Sequence, residues 1–263
     1  MGKIIAIANQ KGGVGKTTSV VHLGAALKMS GRKVLLIDFD PQGDTSAYMG
    51  FEDEESRTVS QVMEEFVKNG SADIREVIRK SEKNDNIEYI PADISLAGAE
   101  MYLISVMSRE NVLKRLLKDV VDDYDYDYII IDCQPSLGVL VLNALVAADG
   151  GVIPAQTQEF SKKALKAITD IVEQVRQSVN PDLKFLGILP TMADNTAMTR
   201  DIRREYDDSF GELIFPMNIS KSVTAAYSSR DKKALCFKAS SRIGEEYRMF
   251  AAEVERRMEN EQV

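Results

Sequence analysis

Asn9-Gln10-Lys11-Gly12-Gly13-Val14-Gly15-Lys16-Thr17-Thr18 separates an apolar run, residues 4–8, from a helix-like segment that begins near Thr17. A strand that feeds a glycine-rich turn into a helix N-terminus aims backbone N–H groups and the positive end of the helix dipole at one spot, which suits phosphate. The stretch therefore reads as a nucleoside-triphosphate loop. The strict pattern G-x-x-x-x-G-K-[ST] would need glycine at position 10, where Gln10 stands, and only Gly15, Lys16 and Thr17 satisfy its second half. In that half Lys16 is expected to reach the β/γ-phosphate oxygens and the Thr17 hydroxyl to ligate Mg²⁺, while Gly12, Gly13 and Gly15 let the backbone come close. Lys11 has no place in the minimal scheme. Beside a full phosphate loop it reads as a second phosphate ligand rather than a solvated lysine.

Outward from the loop, short runs rich in Val and Ile recur at residues 4–8, 34–37, 87–90, 128–131, 151–154 and 185–189, most of them separated by segments with helical spacing. Runs that are apolar throughout, rather than alternating, suit a parallel sheet buried on both faces. The expected fold is doubly wound α/β, a mostly parallel sheet with helices on both faces. Ligands of such folds gather at the carboxyl ends of strands, and two runs end in acid: Asp38 and Asp40 follow the second, and Asp132 closes the run at 129–131. Either Mg²⁺ or an attacking water could be held there, and Asp132 has the Walker B arrangement for the metal. The spacing predicts helices over residues 17–29, 59–67, 74–79, 96–120 and 161–179, with a polar connection over 81–86.

At 263 residues, 44% hydrophobic and 28% charged, the chain is expected to form one globular domain, residues 1–263. Its net charge of −8 confines any nucleic-acid contact to a local patch. Two cysteines, Cys133 and Cys236, are too few for a disulfide framework or a Cys-x-x-Cys metal site, and His22 is the single histidine. No apolar run of about 18 residues and no secretion signal stand out, so a cytoplasmic location is expected. The 253–263 stretch is charged and has no apolar stripe, which disfavours an amphipathic membrane anchor. A guanine-reading Asn-Lys-x-Asp motif is missing, which favours ATP.

Lys11-Gly12-Gly13-Val14-Gly15-Lys16-Thr17-Thr18 resembles the deviant Walker A loop of the ParA/MinD superfamily of dimerising ATPases, and Asp38-Phe39-Asp40-Pro41-Gln42-Gly43 resembles the motif of its ParA-type members. The resemblance implies a Mg²⁺-dependent ATP hydrolase of weak basal activity that closes as a nucleotide-sandwich homodimer. Lys11 would reach the partner's ATP, Asp40 would orient the attacking water, and Thr17 and Asp132 would hold the metal. Residues Lys11, Gly12, Gly13, Val14, Gly15, Lys16, Thr17 and Thr18 would bind the phosphates, and the adenine would lie near Pro216 and Met217. Asp132-Cys133-Gln134-Pro135-Ser136-Leu137-Gly138 is similar to the family's switch motif, with Gln134 where relatives commonly carry proline.

Residues 217–242 hold Lys221, Arg230, Lys232, Lys233, Lys238 and Arg242 against Asp231, a net of +5 inside an acidic chain. By itself such a run is usually a solvated face. With the resemblance, Lys221, Arg230, Lys232, Lys233 and Arg242 become candidate contacts to non-specific DNA, and the 240–247 stretch is similar to the family's final helix entry. Met217 stands where an arginine touches DNA in some relatives. The implied role is ParA/Soj-type partition of plasmid or chromosomal DNA. A ParB-type partner would stimulate hydrolysis and the location would be nucleoid-associated, with no membrane partner. Positioning of a protein cargo and a MinD-like membrane cycle are the alternatives. Because the first strand begins at once, no N-terminal helix-turn-helix is expected.

Overall fold

Strands apolar on both faces are stable only where helices cover both faces, and the strands foreseen here assemble in that way. The computed structural model describes residues 2–52, 55–123, 125–157, 162–194 and 196–259. Strands β1 (Lys3–Ile7), β2 (Val34–Phe39), β3 (Arg79–Ser81), β4 (Ile87–Ile90), β5 (Tyr128–Cys133), β6 (Gly150–Gln156) and β7 (Lys184–Thr191) form one sheet in the order β3-β4-β2-β5-β1-β6-β7. All neighbours are parallel except β3 and β4. Alternate residues of each strand enter opposite layers. Ala6, Leu35, Ile37, Ile129 and Ile131 pack with α3 (Val59–Asn69), α5 (Val112–Asp123) and α6 (Val139–Ala147). Ile5, Ile7, Leu36 and Ile130 pack with α1 (Lys16–Met29) and α10 (Arg242–Glu259). The remaining helices are α2 (Asp44–Met49), α4 (Ala99–Leu103), α7 (Lys162–Ser178), α8 (Ala197–Phe210) and α9 (Val223–Arg230). Ser161, the expected first residue of α7, and the terminal residues 260–263 lie outside the described residues.

Two expectations need correction. Residues 74–79 form no α-helix: a 3₁₀ turn at Ile74–Val77 leads into β3, whose register pairs Arg79 with Tyr89 and Ser81 with Ile87. The helix expected over 96–120 is broken into a 3₁₀ turn at Ile94–Gly98, then α4, a second 3₁₀ turn at Arg109–Asn111, and α5. Ser108 is left-handed there (φ 53°), and Asn143 of α6 holds the break. Its Oδ1 accepts from Leu113 N–H at 3.0 Å and its Nδ2 donates to the Arg109 carbonyl at 2.9 Å. Residues 214–220 join the sheet edge through single parallel bridges, Ile188 to Ile214 and Ala193 to Ser220. Pro216 has no N–H to offer a ladder.

Among the described residues no helix is long and apolar enough to cross a membrane. The C-terminal ends of β4, β2, β5, β1, β6 and β7 all open on one edge of the sheet, and the quoted loop follows β1, an interior strand between β5 and β6.

Candidate nucleotide site and basic face

The loop between β1 and α1 is pinned from both sides. Asn9 is buried; its Nδ2 donates to the Pro154 carbonyl at 2.8 Å and its Oδ1 accepts from Lys11 N–H at 3.0 Å. Gln156 Nε2 donates to the Gly13 carbonyl at 2.6 Å, and Thr191 Oγ1 donates to the Val14 carbonyl at 2.8 Å. Gly13 (φ 72°) and Gly15 (φ 86°) take the left-handed backbone that the turn into α1 requires. Gly15 gives α1 no side-chain cap and the first turn holds no acid, so the helix N-terminus is open to an anion. Lys16 is only 7% exposed and its Nζ curls back to 3.3 Å from the Lys11 carbonyl. Gly12 and Gly13 are exposed, with no atom within 4 Å of an added Cβ.

Beside this loop β2 and β5 bring Asp38 and Asp132 into register. Asp132 Oδ2 accepts from Thr17 Oγ1 and Thr45 Oγ1, each at 2.7 Å, while Oδ1 is buried without a hydrogen-bond partner. Burial raises the pKa of Asp132, against which the Thr17 and Thr45 hydrogen bonds and the charge of Lys16 act. Burial also raises Asp38, and the facing charge of Asp132 raises it further. Asp38 accepts from Ser46 N–H (2.7 Å), Ser46 Oγ (2.6 Å) and Asp40 N–H (3.2 Å), so it shapes the turn that carries Asp40. Asp40 is 9% exposed and its Oδ1 accepts from Gln42 N–H at 2.9 Å. The orphaned Oδ1 of Asp132, next to the Thr17 hydroxyl, is a fit for a cation. Among the described residues no group of three His, Cys, Asp or Glu could hold one alone. Such an ion would take its other ligands from phosphate and water, as Mg²⁺ does.

The family model described as an AAA domain matches residues 2–185. The sporulation initiation inhibitor protein Soj of Bacillus subtilis is 40% identical over 259 residues, which span 97% of this chain and 98% of Soj. The chain belongs to the ParA/Soj family of partition ATPases. Among solved structures, a cobyrinic acid a,c-diamide synthase from Mycobacterium smegmatis with bound ATP analog and magnesium is 35% identical, with a TM-score of 0.83 over 97% of this chain and 95% of that one. Apo McdA of Cyanothece is 25% identical, with a TM-score of 0.84 over 98% of this chain and 100% of McdA.

In this ParA/Soj family member the junction after β7 places Pro216 at the surface and Met217 in the core, 8% exposed. Gln134 Nε2 donates to Glu100 Oε1 at 3.0 Å, joining the turn after Asp132 to α4. The basic residues lie just before α9 (Lys221), at its end (Arg230), on the turn after it (Lys232, Lys233) and at the start of α10 (Arg242). Three of the five are already in ion pairs: Arg230 with Asp231 (3.3 Å), Lys232 with Glu52, and Arg242 with Glu246 (3.0 Å). Lys221 and Lys233 are exposed, with no ion pair among the described residues.

Two contributors were not foreseen in their roles. Thr45 shares Asp132, a contact that only the tertiary pairing of β2 with β5 creates. His22, noted in the sequence only as the single histidine, is fully buried: its Nδ1 lies 2.8 Å from the Thr18 carbonyl, Leu235 N–H donates to its Nε2 at 3.1 Å, and it stacks on Tyr247 at 4.7 Å. An acceptor Nε2 fixes the neutral tautomer with the proton on Nδ1. That imidazole ties the helix behind the loop to the turn that follows the basic residues.

Proposed function

We propose that the chain is a DNA-partition ATPase that binds ATP as a nucleotide-sandwich homodimer, acting as a single domain over residues 1–263. The observation that carries this reading is the meeting, at one point, of the uncapped α1 N-terminus, the buried Lys16 ammonium and the unpartnered Asp132 Oδ1. Backbone N–H groups of residues 12–18 cradle the phosphates, and Lys16 neutralises the β/γ oxygens from below. Thr17 and Asp132 would hold Mg²⁺, which when bound neutralises charge that develops on the phosphate oxygens. Lys11, beside the exposed glycines, reaches the phosphates of the partner's nucleotide. The Asp40 carboxylate accepts a hydrogen bond from water and so aims the water oxygen at the γ-phosphorus; that oxygen bonds to the phosphorus as the bond from phosphorus to the leaving β-phosphate oxygen breaks, and the water proton ends on the phosphate released with ADP. Pro216 and the Met217 backbone flank the adenine, since the Met217 side chain is committed to the core.

The dimer then binds DNA without sequence preference through Lys221, Arg230, Lys232, Lys233 and Arg242, which places it on the nucleoid in the cytoplasm. A ParB-type partner triggers hydrolysis and release. The naming of a relative as Soj supports this reading over a protein-cargo or membrane role.

Equilibrium binding of a fluorescent ATP combined with light scattering tests the assignment on three variants. Lys16→Ala should lose nucleotide binding, because the phosphate loses its buried counter-charge. Lys11→Ala should bind ATP and stay monomeric. Asp40→Ala should bind ATP and dimerise while hydrolysing about a hundredfold more slowly or worse. An ATP-bound dimer of Lys11→Ala, or wild-type turnover by Asp40→Ala, would sink the corresponding role.

A further inference from the structure

Four large apolar side chains stand in water along the run of turns that follows β4: Ile94, Met101, Ile104 and Met107 are between 69% and 90% exposed. Leu96, Ala99 and Leu103 of the same run are buried, so its inner side is already satisfied by the core. Met101, Ile104 and Met107 recur every three residues along α4 and the turns after it, a spacing that keeps neighbours on one side. Single exposed apolar residues need no explanation, but four within fourteen positions of an acidic chain mark a contact surface.

Its place in the fold names the occupant. The chain leaves β4, β2, β5 and β1 on one sheet edge, so the strip lies on the same edge as the phosphate loop. Ala92 N–H donates to Ser46 Oγ at 2.9 Å and Gln134 Nε2 donates to Glu100 Oε1 at 3.0 Å, which joins the strip to the segments that follow Asp40 and Asp132. The exposed Gly12 and Gly13 can approach a second molecule closely, yet glycines bury little area. A stable interface needs about 800 Å² per partner. Four such side chains supply roughly 100 Å² each, about half of that need.

We propose that Ile94, Met101, Ile104 and Met107 form the apolar flank of the ATP-dependent dimer face, covered by a second copy of this chain. This rests on the sandwich-dimer reading above and names the residues that hold the two copies together beyond the nucleotide. Methionine suits the contact because its unbranched side chain adapts to a facing surface.

Sedimentation equilibrium with Mg²⁺ and a non-hydrolysable ATP analogue tests the proposal on wild type and on the triple variant Met101→Ser, Ile104→Ser, Met107→Ser. A second variant, Met101→Leu, Ile104→Val, Met107→Leu, keeps the strip apolar. The serine variant should dimerise about a hundredfold more weakly, with monomer nucleotide affinity and melting temperature unchanged, while the apolar variant should dimerise as wild type does. Dimerisation of the serine variant within about threefold of wild type would overturn the strip's role and leave the sandwich reading standing. Wild type that stays monomeric with the analogue would overturn the sandwich reading and the inference with it.

Discussion

The His22 imidazole is enclosed by α1, Tyr247 and the turn at Leu235, and burial lowers its pKa from 6.5 to about 4. The unfolded chain takes up a proton below pH 6.5 that the folded protein refuses until pH 4. His22 therefore leaves stability untouched above pH 6.5 and removes it as pH falls through this window, by roughly 3 kcal/mol at about 1.4 kcal/mol per pH unit. Tyr48, Tyr247 and Cys236 around it are pushed upward by burial, away from this range. Urea unfolding at pH 7, 5.5 and 4.5 should show the advantage of wild type over His22→Gln shrinking by about that amount; a constant difference would show that the histidine is not held neutral. At this scale the meeting of Thr17 with Asp132 was legible in the sequence, because a motif and a strand end fix where each backbone goes. The job of Asp38 was not. Its partners come from Ser46, eight positions on, and its unfavourable charge from Asp132, ninety-four positions on.

At the scale of elements, strands buried on both faces were readable because nothing but an apolar run can occupy them. β3 was not: Arg79-Lys80-Ser81 is a polar three-residue edge whose pairing partner, β4, alone defines it. The break between α4 and α5 was hidden for a related reason. Leu103, Val106, Leu113, Leu116 and Leu117 keep helical spacing across a turn that is not helical, so periodicity survives what the backbone does not. What enforces the break is Asn143, fully buried on α6, whose side chain serves the Leu113 N–H and the Arg109 and Val139 carbonyls. Asn143→Ala would leave the buried Leu113 N–H without its acceptor, an expected loss of about 1–3 kcal/mol in chemical denaturation. The loss should appear without a change in Asp40-dependent hydrolysis, since Asn143 touches α5 rather than the loop. A stability change below about 0.5 kcal/mol would mean that water reaches the break and that the amide does not enforce it.

For the whole molecule, charge is the property that the sequence showed and the structure qualified. A chain of net −8 concentrates +5 in residues 217–242, but Glu52, Asp231 and Glu246 already face three of the cations. Exposed pairs of this kind are worth about 1 kcal/mol or less, so a polyanion can take the cation from its carboxylate at small cost. Under the proposed function, duplex phosphates, which offer a denser field than a single carboxylate, would make that exchange. Lys221 and Lys233, with no ion pair among the described residues, need no such exchange and should carry the larger share. If two copies on one rigid dimer bind one duplex, the effective concentration is high, so affinity should rise steeply with ATP and little with ADP. Lys221→Glu with Lys233→Glu should weaken binding to unrelated DNA sequences alike and leave ATP-dependent dimerisation intact. If each lysine neutralises one phosphate, the dimer loses four contacts, and the log–log salt slope should become shallower by roughly 3.6, at about 0.9 per phosphate. A salt titration of labelled duplex with ATP, with ADP and with the double variant measures this directly. An unchanged slope would move the DNA face off these two lysines, and binding that ignores ATP would separate DNA contact from the dimer altogether.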